Sequence, residues 1–130
     1  MNSESSNERA HRIIGQLQAK YPGKNCFDLD GRGTHFVCEL EPTSEHPEYD
    51  RAIEVIMDSK PHKHAKTTQT YTIIAGSLEL YVDGEIISLR AGDQHIVPPG
   101  KVHWARSEDE CWLEIYSQPG WTKEDHIPVE

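Results

Sequence analysis

The sequence predicts an all-β protein, an antiparallel sandwich or barrel preceded by one short helix. Short apolar stretches, about eight of them, follow one another along the chain, separated by Gly, Pro and Asp residues. Helices do not alternate with these stretches, which argues against a parallel α/β sheet. The 130 residues suit a single domain that can bury a hydrophobic core without disulfides.

Helical periodicity occurs once, near the N-terminus. Ile13, Ile14 and Leu17 fall on one face of a predicted helix over residues 8–20, and a Pro-Gly pair follows it. We expect that face to cover one side of the sheet.

Alternation of apolar and polar residues predicts the strands. It is clearest where Leu78, Leu80 and Val82 share one face, and the Asp-Gly pair that follows favours a type I′ hairpin turn. The predicted strands cover residues 34–40, 52–58, 70–75, 77–82, 85–89, 94–98, 103–107 and 111–116.

These elements divide the chain into three predicted segments. Residues 1–24 form a tail and the short helix, and polar residues 1–6 are expected to be frayed. Residues 25–117 form the β-barrel. Residues 118–130 contain the Pro-Gly pair at 119–120 and a second proline, Pro128, and are expected to be irregular.

Charge and composition exclude several classes of partner. The formal net charge is -9, and no basic stripe interrupts it, so nucleic acid and anionic membrane surfaces are not expected partners. No apolar stretch approaches the ~20 residues of a membrane span, and the N-terminus lacks the apolar core of a secretion signal, so we expect a cytoplasmic protein. Three cysteines without a C-x-x-C pair predict neither a disulfide framework nor a Cys-based zinc site.

Four residues form a candidate metal site. His62 and His64 point to the same face if they lie in a strand, so both imidazoles can reach one cation. Four residues separate His64 from Gln69, enough for a tight bend that returns the Gln69 amide oxygen on a neighbouring strand. His103 lies 39 residues beyond His64 and must come from a distant strand, which a rolled sheet can provide.

The same residues carry a resemblance to the cupin superfamily. Its first motif, H-x-H followed by Glu and Gly, is matched here by His62, His64, Gln69 and Gly76. Its second, which runs from Gly through Pro-x-Gly and His to Asn, is matched by Gly92, Pro98, Gly100, His103 and Ser107. The resemblance implies a small single-domain cupin: a jelly-roll β-barrel with one divalent metal ion inside, held by His62, His64, Gln69 and His103.

Two residues depart from the family pattern. Ser107 stands where Asn is usual, which we take as a mild structural change at a strand end. Gln69 stands where Glu is usual, so the site keeps the full +2 charge of a divalent ion; affinity for the metal should fall while its Lewis acidity rises. Neutral N and O ligands suit Zn, Ni, Fe, Mn or Co, and the sequence leaves the choice among them open.

The resemblance leaves the activity open. The leading hypothesis is metal-assisted proton transfer or isomerisation on a small sugar- or carboxylate-like ligand. As a metal ligand, Gln69 resembles the corresponding residue of family members that convert unsaturated uronates to ketone forms. Tyr71 shares Gln69's face by alternation and is the candidate catalytic residue, with Lys66 or a water on the ion as other proton carriers. The alternatives are a non-catalytic binder of small molecules and a metal-dependent dioxygenase.

Two further expectations concern surfaces. Trp112 and Tyr116 alternate with Leu113 and Ile115, so one apolar face of the last strand is expected outside the barrel, where it would form a homodimer interface. The histidines outside both motifs are expected at the surface; they are His11, His35, His46 and His126.

Overall fold

Ten strands and one helix organise residues 4–129, the part of the chain that the computed structural model describes. The helix α1 spans Ser6–Lys20. The strands are β1 Asn25–Asp28, β2 His35–Glu41, β3 Asp50–Asp58, β4 His62–Lys63, β5 Thr68–Ala75, β6 Ser77–Val82, β7 Glu85–Arg90, β8 Gln94–Val97, β9 His103–Gln118 and β10 Ile127–Pro128.

All strand pairs are antiparallel, and the long strand β9 holds the curled sheet together. Its C-terminal half lies between β3 and β5, and its N-terminal half pairs with β4 and β6. β1 extends the sheet through β2, β8 pairs with β5, and β7 pairs with β6. A sheet that shares one bent strand between its two halves encloses an interior, and the all-β barrel with a short N-terminal helix is confirmed.

The helix begins with a capping box and covers the outer face of β2 and β3. The Ser5 hydroxyl accepts a hydrogen bond from the Glu8 backbone N–H, and the Glu8 carboxylate accepts one from the Ser5 N–H. Ser5 is therefore ordered, which corrects the expectation that residues 1–6 are frayed; residues 1–3 lie outside the described part. The helix buries Ile13 and Leu17 in a cluster with Phe36, Cys38, Ile53 and Val55.

A second apolar cluster fills the barrel and reaches the histidines at Tyr71, whose ring lies beside that of His103. It contains side chains from both halves of the sheet, among them Ile73, Leu78, Leu80 and Leu113. The hairpin between β6 and β7 turns as predicted, because Asp83 and Gly84 both take positive φ, of 47° and 86°.

One strand replaces two predicted ones. Residues 103–107 and 111–116 belong to the continuous strand β9, although the acidic run 108–110 between them resembles a turn in sequence. In this part of β9 the register against β3 shifts between the pairs Ile56–Cys111 and Asp58–Arg106, so the run forms an irregularity where the strand passes from one half of the sheet to the other, and its side chains are largely exposed. Arg12 of α1 donates hydrogen bonds to the Glu110 carboxylate.

The apolar face of β9 is covered within the chain, which corrects the basis of the predicted dimer interface. Trp112 packs against the cluster under the helix, with the Lys20 ammonium 5.6 Å from its ring centroid. Tyr116 stacks on Tyr49, at 5.7 Å between centroids. No helix among residues 4–129 is long and apolar enough to cross a membrane.

Candidate metal centre

Three histidines meet inside the barrel. β4 and β9 pair so that His62 lies directly opposite His103, and His64 follows two residues after His62. The ligand nitrogens of the three rings all lie within 4.8 Å of one another, and all three residues are buried. The structure thus brings together three of the four residues predicted as ligands in a geometry that one ion can share.

Backbone carbonyls set the tautomer of each ring. His62 Nδ1 lies 2.8 Å from the Lys60 carbonyl oxygen, and His103 Nδ1 lies 2.9 Å from that of Lys101. His64 Nδ1 lies 2.9 Å from the carbonyl oxygen of Asp125. Because a carbonyl only accepts, each Nδ1 carries the proton, and each neutral ring keeps its lone pair on Nε2.

Gln69 adds an oxygen to the same place. Its Oε1 lies 3.1 Å from His103 Nε2, while its amide nitrogen donates to the buried Ser117 hydroxyl at 3.2 Å. That bond orients the amide so that its oxygen, not its nitrogen, faces the histidines. Oε1 and the Nε2 lone pair are both acceptors, so neither satisfies the other.

The donor set fits a divalent cation. Desolvation is the largest cause that lowers the pKa of His62 to about 2 and of His103 to about 4, and it also lowers the pKa of His64. All three rings are therefore neutral near pH 7, the state in which imidazole binds metal. His64 Nε2 is fully buried and has no hydrogen-bond partner among the described residues, which a metal ion would supply.

The C-terminal tail holds the loop between the metal-site strands. The Asp125 carboxylate accepts backbone hydrogen bonds from Ala65, Lys66 and Thr67, at 2.9, 3.1 and 3.1 Å. Desolvation raises the pKa of Asp125, but these backbone hydrogen bonds outweigh it and hold that pKa below its ordinary value. The same residue positions His64 through its carbonyl, so Asp125 anchors both the loop and one histidine.

His126 also belongs to the site, which corrects the expectation that it lies at the surface. Its ring stacks on His62 with 4.3 Å between centroids and an 18° interplanar angle. Trp121 Nε1 donates to His126 Nδ1 at 3.2 Å. The tail predicted to be irregular thus includes β10, which pairs with β4, and lines the metal site. Sequence spacing could not show this, because the contact joins residues more than sixty positions apart.

His35 is the second histidine that was expected at the surface but lies inside the protein. It is 6% exposed, and its Nε2 lies 2.5 Å from Glu54 Oε1 on the neighbouring strand β3. The alternation of β2 gave a signal for this position, because His35 shares a face with Val37, opposite the face of Phe36 and Cys38 that the helix covers.

Tyr71 faces the same interior but is packed into the core. It is 4% exposed, its ring centroid lies 6.2 Å from that of His103, and burial raises its pKa well above the ordinary value. A phenol in this setting stays protonated and fills space. Its catalytic role stays a prediction.

A cavity of about 200 Å³ reaches the candidate site through Gln69, whose amide oxygen lies beside His103. Its lining contains Gln69 and Ser117 together with residues of β2, β3, the loop after β2 and Trp121. Glu39, Asp50 and Glu54 contribute carboxylates to the lining. This volume lies below the range of about 300–1,000 Å³ typical of ligand pockets, so a ligand in it would be small.

Comparison with known proteins agrees with this architecture. Residues 53–116 match the family model for the cupin domain. A protein of Aquifex aeolicus (strain VF5), described only as uncharacterized, is 35% identical over 95 residues, which cover 71% of this chain and 78% of that relative.

Two solved structures share the fold at low sequence identity. Streptomyces Pac13, described as a nucleoside dehydratase, has a TM-score of 0.72 and 15% identity over 82% of this chain and 85% of its own. KdgF from Halomonas sp. has a TM-score of 0.65 and 18% identity over 77% of this chain and 89% of its own. An antiparallel barrel with histidines gathered inside it defines the class, and the chain belongs to the cupin family.

Proposed function

We propose that the chain binds one divalent metal ion through His62, His64, Gln69 and His103, and acts on a small polar ligand in the adjoining cavity by proton transfer. One observation carries the metal proposal. Three Nε2 lone pairs and one amide oxygen converge, each oriented by a hydrogen bond on its far side, and His64 Nε2 has no hydrogen-bond partner among the described residues. Four acceptors in a buried site are satisfied by a cation.

The chemistry follows from the charge of this site. When bound, the ion polarises a carbonyl or hydroxyl oxygen of the ligand and stabilises the negative charge that develops there. Gln69 leaves that charge undiminished and is not itself a base, because an amide does not titrate usefully. A proton carrier must therefore come from elsewhere in the cavity.

Glu54 is better placed than Tyr71 for that role. It lines the cavity, and its Oε1 is held by His35 while Oε2 has no hydrogen-bond partner among the described residues. Tyr71, the candidate from sequence, lies in the apolar cluster. A carboxylate that reaches the ligand can accept a proton, and the His35 ring fixes its direction.

Metal content tests the proposal. Untagged protein, purified without metal resin, is analysed by mass spectrometry for Zn, Ni, Fe, Mn and Co, and then titrated with each metal after chelator treatment. We expect about one equivalent of bound metal. His103→Ala should abolish the binding, while His11→Ala, on the exposed outer side of the helix, should leave it unchanged. Failure of every metal to bind or to raise the melting temperature would refute the metal centre.

Two alternatives remain distinguishable. A binder without turnover is favoured by the burial of Tyr71, and ligand binding without product over hours would identify it. A dioxygenase requires a redox-active metal, so stoichiometric zinc would exclude it and stoichiometric iron would favour it. The dehydratase described for Pac13 supports an enzyme on this fold and says nothing about the substrate here.

The homodimer is also part of the proposal. In the described residues the large apolar side chains left exposed are Ile74, Ile86 and Ile96, at 42, 58 and 56%. These side chains replace the covered face of β9 as the candidate interface. Light scattering at micromolar concentration should give the mass of two chains, and Ile86→Ser should lower it; a monomer would contradict the proposal.

A further inference from the structure

We infer that the cavity selects a small ligand bearing hydroxyl or amine donors and no anionic group. This inference rests on the proposed function for the identity of the site, and it narrows the ligand from sugar- or carboxylate-like to neutral or cationic. The observation behind it is the charge of the walls, since three carboxylates and one guanidinium are the charged groups among the described lining residues.

Arg51, the one cation among the described lining residues, forms its ion pairs outside the cavity. Arg51 alternates with Asp50 and Ala52 on β3, so its side chain leaves the strand on the opposite face. Its guanidinium is bonded to the carboxylates of Glu41 and Glu114, neither of which lines the cavity. It is therefore not available to bind an anionic ligand.

Two of the carboxylates keep an open oxygen. Glu54 bonds His35 through Oε1, and Asp50 accepts the Trp121 backbone N–H through Oδ2. Glu54 Oε2 and Asp50 Oδ1 have no hydrogen-bond partner among residues 4–129. Neither oxygen is fully buried, because the side-chain atoms that are both fully buried and without a partner among the described residues are Thr34 Oγ1 and His64 Nε2. Open acceptors on a cavity wall are suited to ligand donors.

The position of these carboxylates makes their charge effective. Glu54 lies far enough inside to raise the pKa of Tyr71, after the larger effect of burial. Asp50 is buried without an ion-pair partner among the described residues, so a ligand donor would offset part of the desolvation cost of its carboxylate. A carboxylate or phosphate on the ligand would add a like charge in this low-dielectric space. A divalent ion held by the histidines and Gln69 would attract a ligand oxygen only where the cavity meets Gln69.

Three sugars of matched shape test the inference by NMR. The 15N-labelled full chain is titrated with glucosamine, glucose and glucuronate, with and without metal. We expect glucosamine to bind at least about tenfold more tightly than glucuronate, and glucose to bind with an intermediate affinity. Glu54→Gln and Asp50→Asn should each reduce that ratio, and Glu79→Gln, an exposed position outside the cavity, should not.

The outcomes separate this inference from the metal proposal. Chelator-treated protein should keep the preference or increase it, because the selecting charges belong to the chain. A preference for glucosamine in a protein that binds no metal would sustain the inference and refute the metal centre. Equal or tighter binding of glucuronate, ratios unchanged in both variants, or no shift of cavity amides with any of the sugars would overturn the inference.

Discussion

Replacement of Asp125 by alanine tests whether the C-terminal tail builds the metal site. The substitution removes the acceptor of three backbone N–H groups, those of Ala65, Lys66 and Thr67, and keeps the carbonyl that holds His64. The loop between His64 and Gln69 then loses its anchor. Both protein stability and metal affinity should fall.

The magnitude follows from the hydrogen bonds lost. A hydrogen bond to a charged group contributes about 1.5–3 kcal/mol when buried, and less where water replaces the acceptor. Two of the three bonds, to Ala65 and Lys66, are exposed, so we expect a total near 2 kcal/mol. For a domain of this length that corresponds to about 7 °C in melting temperature. Loss of such support typically weakens metal binding about tenfold or more.

Thermal unfolding and chelator competition measure the two effects, with exposed Glu124→Ala as the matched control. The pH dependence adds a check. Because the pKa of Asp125 is lowered in the folded state, its contribution is present above the ordinary value of 3.8 and is lost as pH falls through the folded pKa. The variant and the native chain should therefore converge in stability at low pH. Equal melting temperatures and equal metal affinity at pH 7 would refute the anchoring role.

Three further predictions follow from single positions. Gln69→Glu adds a charge at the ion and should tighten metal binding in chelator competition; equal or weaker affinity would show that Gln69 is not a ligand. Gly120→Ala would place a Cβ 2.6 Å from Thr43 Oγ1, so calorimetry should show a loss of about 1–3 kcal/mol and hydrogen exchange a faster tail; native-like values would contradict this packing. Burial raises the pKa of Asp50 from 3.8 to about 6, so its stabilising contribution is present below 3.8 and lost as pH rises through 6. Asp50→Asn should therefore gain on the order of 1–2 kcal/mol relative to the native chain between pH 4 and pH 8 in urea unfolding, and a difference independent of pH would count against the burial.

Local patterns were enough for the architecture. Period-two alternation and turn residues predicted the strands because side-chain direction in a strand depends on position alone. The spacing of His62 and His64 likewise predicted a shared face, and the return of Gln69 needed only a short bend. His103 came from a resemblance to a family, because no local rule joins positions 39 residues apart.

Where two halves of a sheet share a strand, local patterns fail. The run Glu108-Asp109-Glu110 has the composition of a turn, yet it lies within β9, at a register irregularity against β3 where the strand passes between the two halves of the sheet. The face of Trp112 lies outside the barrel, as expected, but the helix of the same chain covers it, since an apolar face in the sequence does not show which partner covers it.

The sequence alone determined the all-β class, the helix, most strands and the shared face of His62 and His64, because these depend on residue chemistry and short-range periodicity. Tertiary structure decided the surroundings of that site. It placed Asp125 and His126 from the tail beside His64 and His62, and it turned the paired His35 and Glu54 toward the interior. Such contacts join segments distant in the chain, and their energies arise only when folding brings those segments together.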